Sequence, residues 1–273
     1  MNLPSVTYSE HEQKTMKINK KYLYFTIGIL AILVVWSIIS LIVNSKFLIP
    51  TPWDTAVEFF NLLKTSEFYT ALGATALRSL IGFLIAVVVG LALSILAYRY
   101  KALEKVLSPF MTVMRATPTM SFIFLLVVWF SPTVSPAFIG FVVVFPILYE
   151  NFHTALNGVD KKLIEMSKVF RVDKATQIKT LYIPQSLPTM LAGVKSGISL
   201  NVKIVISAEV LASTAKSIGT QMQIAIQNTV ATLFAWTIWA IILAFVFEGI
   251  VALLANLTLG KRLKQNRKTK NTI

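Results

Sequence analysis

From Tyr22 to Ser45 the chain runs for 24 residues without a charged side chain. As a helix that run is about 36 Å long, more than the roughly 30 Å hydrocarbon core of a bilayer. Backbone amides in that core find no water, so the run has to close its hydrogen bonds within itself, as a helix. It is longer than the apolar core of a signal peptide and has no small-residue cleavage site. Lys14, Lys17, Lys20 and Lys21 precede it, which predicts an uncleaved first span with its N-terminus inside. Further apolar runs follow, and a hydrophobic fraction of 55% with a mean hydropathy of +0.69 marks a polytopic helical membrane protein.

Lys46 to Leu77 is polar enough to leave the bilayer. Within it, Thr51-Pro52-Trp53-Asp54 reads as a helix start with proline in the first turn. Trp53, Ala56, Val57, Phe60 and Leu63 then share one apolar stripe, which predicts a helix on the outer interface. The second span is expected at 79–98. A third, at 109–130, contains Arg115 and a kink at Pro118, because proline frees a carbonyl that neighbours must satisfy. The remaining spans are expected at 137–149, 189–208 and 233–259.

Counting Lys and Arg by side tests this path. Nineteen fall on the expected inner side and three on the outer, Lys46, Lys64 and Lys216. The expectation is therefore an all-α fold of six transmembrane helices with both termini cytoplasmic. Residues 1–21 form an N-terminal tail, 22–260 the membrane domain and 261–273 a basic tail.

The formal charge of +14 is accounted for by residues flanking spans, without the basic face and interleaved aromatics of a nucleic-acid binder. Cysteine is absent, which excludes disulfides and thiol chemistry. His11 and His153 read as isolated, so a metal site is not expected. No paired carboxylates or Ser/His arrangement points to an enzyme.

The segment 150–188 departs from the apolar pattern. It carries six Lys or Arg and four acids between two spans. From Asp160, Leu163, Met166, Ser167 and Phe170 repeat at helical spacing, and Asp173 is placed to cap a second helix through Tyr182. Pro184 and Pro188 are expected to stop that helix before the fifth span. A simple connector needs no apolar stripe, so this hairpin reads either as a surface amphipathic element or as a dock for a cytosolic partner.

Here the chain resembles the membrane-spanning permease subunit of binding-protein-dependent ABC importers, of the nitrate/sulfonate/taurine type. The residues carrying the likeness are Glu165-Met166-Ser167, Ile183-Pro184 and Leu187-Pro188 in the loop. Elsewhere they are Ile49-Pro50-Thr51-Pro52, Arg78 with Gly82, Arg115-Ala116-Thr117-Pro118, and Ala208-Glu209 followed by Ser217-Ile218-Gly219. Two positions depart from the family pattern: Ser167 stands for alanine, and Arg171 stands where a glycine would take a left-handed turn more cheaply.

The resemblance implies a type I ABC importer permease in a prokaryotic cell membrane. Its partners would be cytosolic ATPases, a second permease subunit in a dimer, an extracytoplasmic binding protein and lipid. Asp160, Glu165, Met166, Ser167, Phe170 and Arg171 would form the ATPase dock. The chain has no Gly-x-x-x-x-Gly-Lys-Ser/Thr loop, so ATP belongs to the partner and no cofactor is expected here. The implied cargo is a small solute such as a sulfonate, taurine or nitrate, or a vitamin precursor; an ion-coupled carrier without ATPase is the alternative.

An ionised side chain at the bilayer centre costs at least about 2.5–3.5 kcal/mol on insertion scales, so each embedded charge needs a reason. Arg78 and Lys195 lie near span ends, where snorkelling suffices. Arg115 either holds carbonyls freed by Pro118 or lines a path. Lys203 lies too deep to escape inward, and either faces a polar path and attracts an anion or reaches outward to Glu209 or the surface. Glu248 is the expected counter-charge of Lys203. Gly193-x-x-x-Gly197 permits close helix approach, within the subunit or at a dimer seam.

Overall fold

The computed structural model describes residues 10–45 and 47–270, with side chains described over 23–257 apart from Lys46. Residues 1–9 of the expected N-terminal tail, Lys46, and 271–273 of the basic tail lie outside the described residues, as do the other side chains of both tails.

The described elements are all helical. They are α1 (Glu10–Val43), α2 (Pro52–Leu62), α3 (Ser66–Arg99), α4 (Lys101–Ala116), α5 (Thr119–Trp129), α6 (Ser135–Asn157), α7 (Lys161–Val169), α8 (Lys174–Gln177), α9 (Ile183–Ala212), α10 (Ile218–Asn228) and α11 (Val230–Lys270). A π-helical turn, Ile178–Tyr182, joins α8 to α9. Five stretches are long and apolar enough to cross a membrane, and the α4–α5 pair makes a sixth if counted as one broken span.

At the centre, α6 packs against both α3 and α9. Phe83, Ala86, Ile139, Val144, Leu148, Phe152 and Ile198 are buried between them. Small residues let the backbones approach: a Cβ on Gly82 would collide with the Ala137 carbonyl, and one on Gly197 would lie 3.0 Å from Leu148. A Cβ on Gly193 would come 2.9 Å from the side chain of Asn151. Gly193 and Gly197 therefore serve packing within this chain. A second cluster joins Phe68, Ala71, Val202, Ile218 and Trp236, with Phe59 stacked on Trp239 at 4.4 Å.

Several expectations need correction. The second span starts at Ser66, well before residue 79, because Thr65 caps the helix and Phe68, Ala71, Thr75 and Ser79 already face the core. On α2 the Thr51 cap is as expected, its hydroxyl oxygen accepting from the Asp54 N–H at 3.0 Å. The expected stripe, however, points away from the bundle at Trp53, Val57 and Phe60, while Thr55, Phe59 and Leu62 turn inward. The fourth span is longer than 137–149, with Ser135 and Pro136 already inside the helix.

The third span is broken rather than kinked. α4 and α5 meet at 95°. Thr117 is extended, the conformation the ring of a following proline imposes, and Pro118 follows outside the helical region at φ −56°, ψ 130°. Pro184 and Pro188 do not stop the loop helix. The π turn absorbs Pro184, with the Ile183 N–H reaching back five residues to the Ile178 carbonyl, and helix continues from Lys174 to Ala212. α10 was not expected: Ser217 caps it, accepting from the Thr220 N–H at 3.0 Å.

Candidate docking loop and embedded ion pairs

The loop after α6 is pinned at each joint. Asp160 caps α7, accepting from the Lys162 N–H at 2.9 Å, while its own N–H donates to Gln185 on α9 at 2.9 Å. At the other end Arg171 takes a left-handed conformation, φ 53°. The Val172 N–H donates to the Ser167 carbonyl at 2.9 Å and the Arg171 N–H to the Lys168 carbonyl at 3.0 Å, so the helix ends in the kind of turn that glycine usually makes. Asp173 then caps α8, and hydrogen bonds from Thr176, side chain and backbone, hold its carboxyl below the usual carboxylate range.

This joinery turns one face of α7 outward. Met166, Val169 and Phe170 are 51%, 79% and 73% exposed. Glu165 is exposed on the same short helix, and Asp160 and Arg171 lie exposed at its two ends. Ser167 does not join that face. It is buried, its hydroxyl donating to the Ile164 carbonyl at 2.7 Å, and Leu163 is half-buried. The expected single stripe is thus divided, part of it seated on the protein and part presented.

The loop's surroundings are also fixed. Tyr98 on α3 and Tyr182 meet through their hydroxyls at 3.2 Å. His153 is not isolated: it contacts Glu104 on α4 at 3.0 Å, while Glu104 also receives Lys101 at 2.8 Å.

Among the span charges, pairing replaces snorkelling. Arg78 donates to the fully buried Glu209 at 2.9 Å and to the Ala215 carbonyl at 3.2 Å. Thr75 donates to the same carboxylate at 2.9 Å, the Gly219 N–H approaches it at 3.3 Å, and the Ile218 N–H donates to the Thr75 hydroxyl at 3.0 Å. One knot therefore holds α3, α9 and the start of α10. Residue spacing does not reveal this knot, because its members come from separate elements, although Arg78, Glu209 and Ser217-Ile218-Gly219 each carry part of the family likeness.

Arg115 lies 3.5 Å from Glu150 on α6, and among the described contacts it bonds no carbonyl freed by Pro118. Glu248 pairs with Lys195 at 3.2 Å, not with Lys203. Eight residues separate the two lysines, which displaces Lys203 by about 12 Å along α9 and turns it by roughly 80°. Lys203 itself is exposed and has no ion-pair partner among the described residues.

Comparison with known proteins adds the family. Residues 82–265 match the model of the binding-protein-dependent transport system inner membrane component. A putative aliphatic sulfonates transport permease protein, SsuC, of Bacillus subtilis is 29% identical over 184 residues, covering 67% of each chain. The formylaminopyrimidine transport permease ThiX of Halalkalibacterium halodurans is 24% identical, over 68% of this chain and 75% of its own. The taurine transport system permease TauC of Escherichia coli is 23% identical, over 69% and 72%.

Among solved structures, a chain of an amino acid ABC transporter crystallised with histidines superposes with a TM-score of 0.59 at 19% identity, covering 73% of this chain and 96% of that one. A chain of the inward-facing MetNI methionine transporter gives 0.52 at 17%, covering 72% and 96%. These two likenesses concern the fold. The family model spans about two thirds of the chain, including the central α6–α9 packing and the pinned loop, and this protein belongs to the binding-protein-dependent transport system inner membrane components.

Proposed function

We propose that this chain is the permease subunit of an ATP-driven importer in a prokaryotic cell membrane, with both termini on the cytosolic side. Two copies enclose the path, an extracytoplasmic binding protein delivers solute, and cytosolic ATPases hydrolyse ATP. The observation that carries this reading is α7: a short helix held at both ends that presents Glu165, Met166, Val169 and Phe170 outward. Three exposed apolar side chains on a capped helix beside a carboxylate suit a groove on a protein partner.

The mechanism follows from continuity. Closure of an ATPase pair displaces the docked loop, and helix runs on from α8 through the π turn into α9 without an intervening loop. A push on α7–α8 is therefore delivered to α9, favouring one of two packings of the spans. The chain supplies positioning and a path, and the nucleotide chemistry sits in the partner.

The cargo is a small solute such as a sulfonate, taurine or nitrate, which the SsuC and TauC relatives support. The ThiX relative favours, as a second reading, a vitamin precursor carried by the same mechanism. Purification of the chain from detergent-solubilised membranes of its own host tests the docking. A cytosolic ATPase that co-purifies and is lost with Glu165→Lys supports the reading, while transport that persists without any ATPase contradicts it.

A further inference from the structure

Arg78, Arg115, Lys195 and Lys203 interrupt the apolar sequence of the spans, and the first three are neutralised within the chain: Arg78 by Glu209, Arg115 by Glu150 and Lys195 by Glu248. Lys203 has no carboxylate among the described residues, and Glu150, Glu209 and Glu248 are already taken. The surplus charge sits on α9, about 22 Å of helix beyond Pro188 and about 13 Å short of Ala212.

Its neighbours share its side. Ser196 and Ser207, seven residues before and four after, are exposed like Lys203, while Val202, Ile204 and Val205, turned roughly 100° to 160° away, are buried, and Ile206, roughly 60° round from Lys203, is buried at the edge of the stripe. Each serine hydroxyl donates to a carbonyl of its own helix, Ser196 to Ala192 at 3.2 Å and Ser207 to Lys203 at 2.9 Å, so each oxygen keeps its capacity to accept. A polar stripe carrying an unpaired ammonium is unfavourable against lipid. It is favourable against a water-filled path, where one fixed positive charge attracts anions and repels cations.

We infer that Lys203 is a charge-selecting residue of the translocation path, and that the stripe Ser196–Lys203–Ser207 lines the route of an anionic solute. This rests on the importer reading and narrows its cargo to anions, the chemical class of a sulfonate.

The native chain contains no cysteine, so a single introduced thiol is a clean reporter. Ser196→Cys and Ser207→Cys would each be made in the assembled transporter, in right-side-out and inside-out vesicles. Each would be labelled with anionic sulfonatoethyl methanethiosulfonate or cationic trimethylammonioethyl methanethiosulfonate, and normalised to the denatured chain. The expected result is that both thiols react from at least one side and prefer the anionic reagent, and that adding Lys203→Gln lowers that preference about tenfold, as loss of a nearby unit charge in a partly aqueous site predicts.

A preference unchanged by Lys203→Gln overturns the inference. So does silence at both thiols, or reaction at Ser207→Cys alone, which would put Lys203 at a membrane edge. The ATPase co-purification is scored on the same preparations. ATPase retained with no charge preference overturns the role of Lys203 alone; ATPase absent with the preference intact overturns the importer reading alone.

Discussion

Arg78 and Glu209, 131 positions apart in the chain, meet at 2.9 Å with the glutamate side chain fully buried. A buried pair is costly to break because the remaining charge has no substitute for water. Arg78→Met is expected to destabilise the protein by about 3–5 kcal/mol, and adding Glu209→Gln to it should recover part of the loss. Thermal unfolding in detergent, arranged as a double-mutant cycle, reads this coupling; strict additivity would mean that the two side chains do not interact.

Lys195 and Glu248 offer a second cycle. Charge reversal at either site alone should lower stability, and the exchanged double variant Lys195→Glu with Glu248→Lys should restore much of it. The pair is part-exposed in the isolated chain, 47% and 29%, so the coupling is expected to be on the order of 1 kcal/mol. Lys203→Gln should be additive with Glu248→Gln in the same assay, since those two residues are not partners.

Glycines on α3 separate packing from propensity. Gly82→Ala drives a methyl group into the Ala137 carbonyl and should cost about 1–3 kcal/mol. A Cβ on Gly73 meets nothing within 4 Å, so Gly73→Ala should be neutral or stabilise the helix by up to about 1 kcal/mol. Comparing their melting temperatures checks the α3–α6 seam; equal effects would contradict it.

Arg171 holds a left-handed backbone at φ 53°. Left-handed conformation costs a side-chain-bearing residue roughly 1–2 kcal/mol relative to glycine. Arg171→Gly should therefore slow amide exchange across 161–172 and leave ATPase docking intact. Faster exchange would show that the arginine side chain, rather than the turn, holds α7 in place.

The spans were legible because hydropathy and basic flanks report a chain's solvent, whatever its partners. Most of what escaped was geometry that composition does not encode. Residues 109–130 are equally apolar as one helix or as two at 95°, and only the non-helical pair Thr117-Pro118 decides between them. Pro184 and Pro188 carry a stop signal, yet a single π turn removes its effect. The embedded charges were visible but not their partners: Glu248 was expected opposite Lys203 and meets Lys195, which depends on helix faces that composition does not fix. In the loop, the Asp173 cap was legible from residue type and the turn at Arg171 from the family likeness, whereas the Asp160 cap and the inward turn of Ser167 show only in the structure.

The ATPase grip proposed for α7 can be trapped directly. A single cysteine at Phe170, 73% exposed at the end of α7, lets that contact be trapped in a chain that otherwise has none. Crosslinking Phe170→Cys in native membranes with a short lysine-reactive bifunctional reagent should give one product whose mass is the permease plus an ATPase subunit, and Glu165→Lys in the same chain should abolish it. Abundant, accessible Phe170→Cys that yields no such product in membranes actively importing solute would contradict the account.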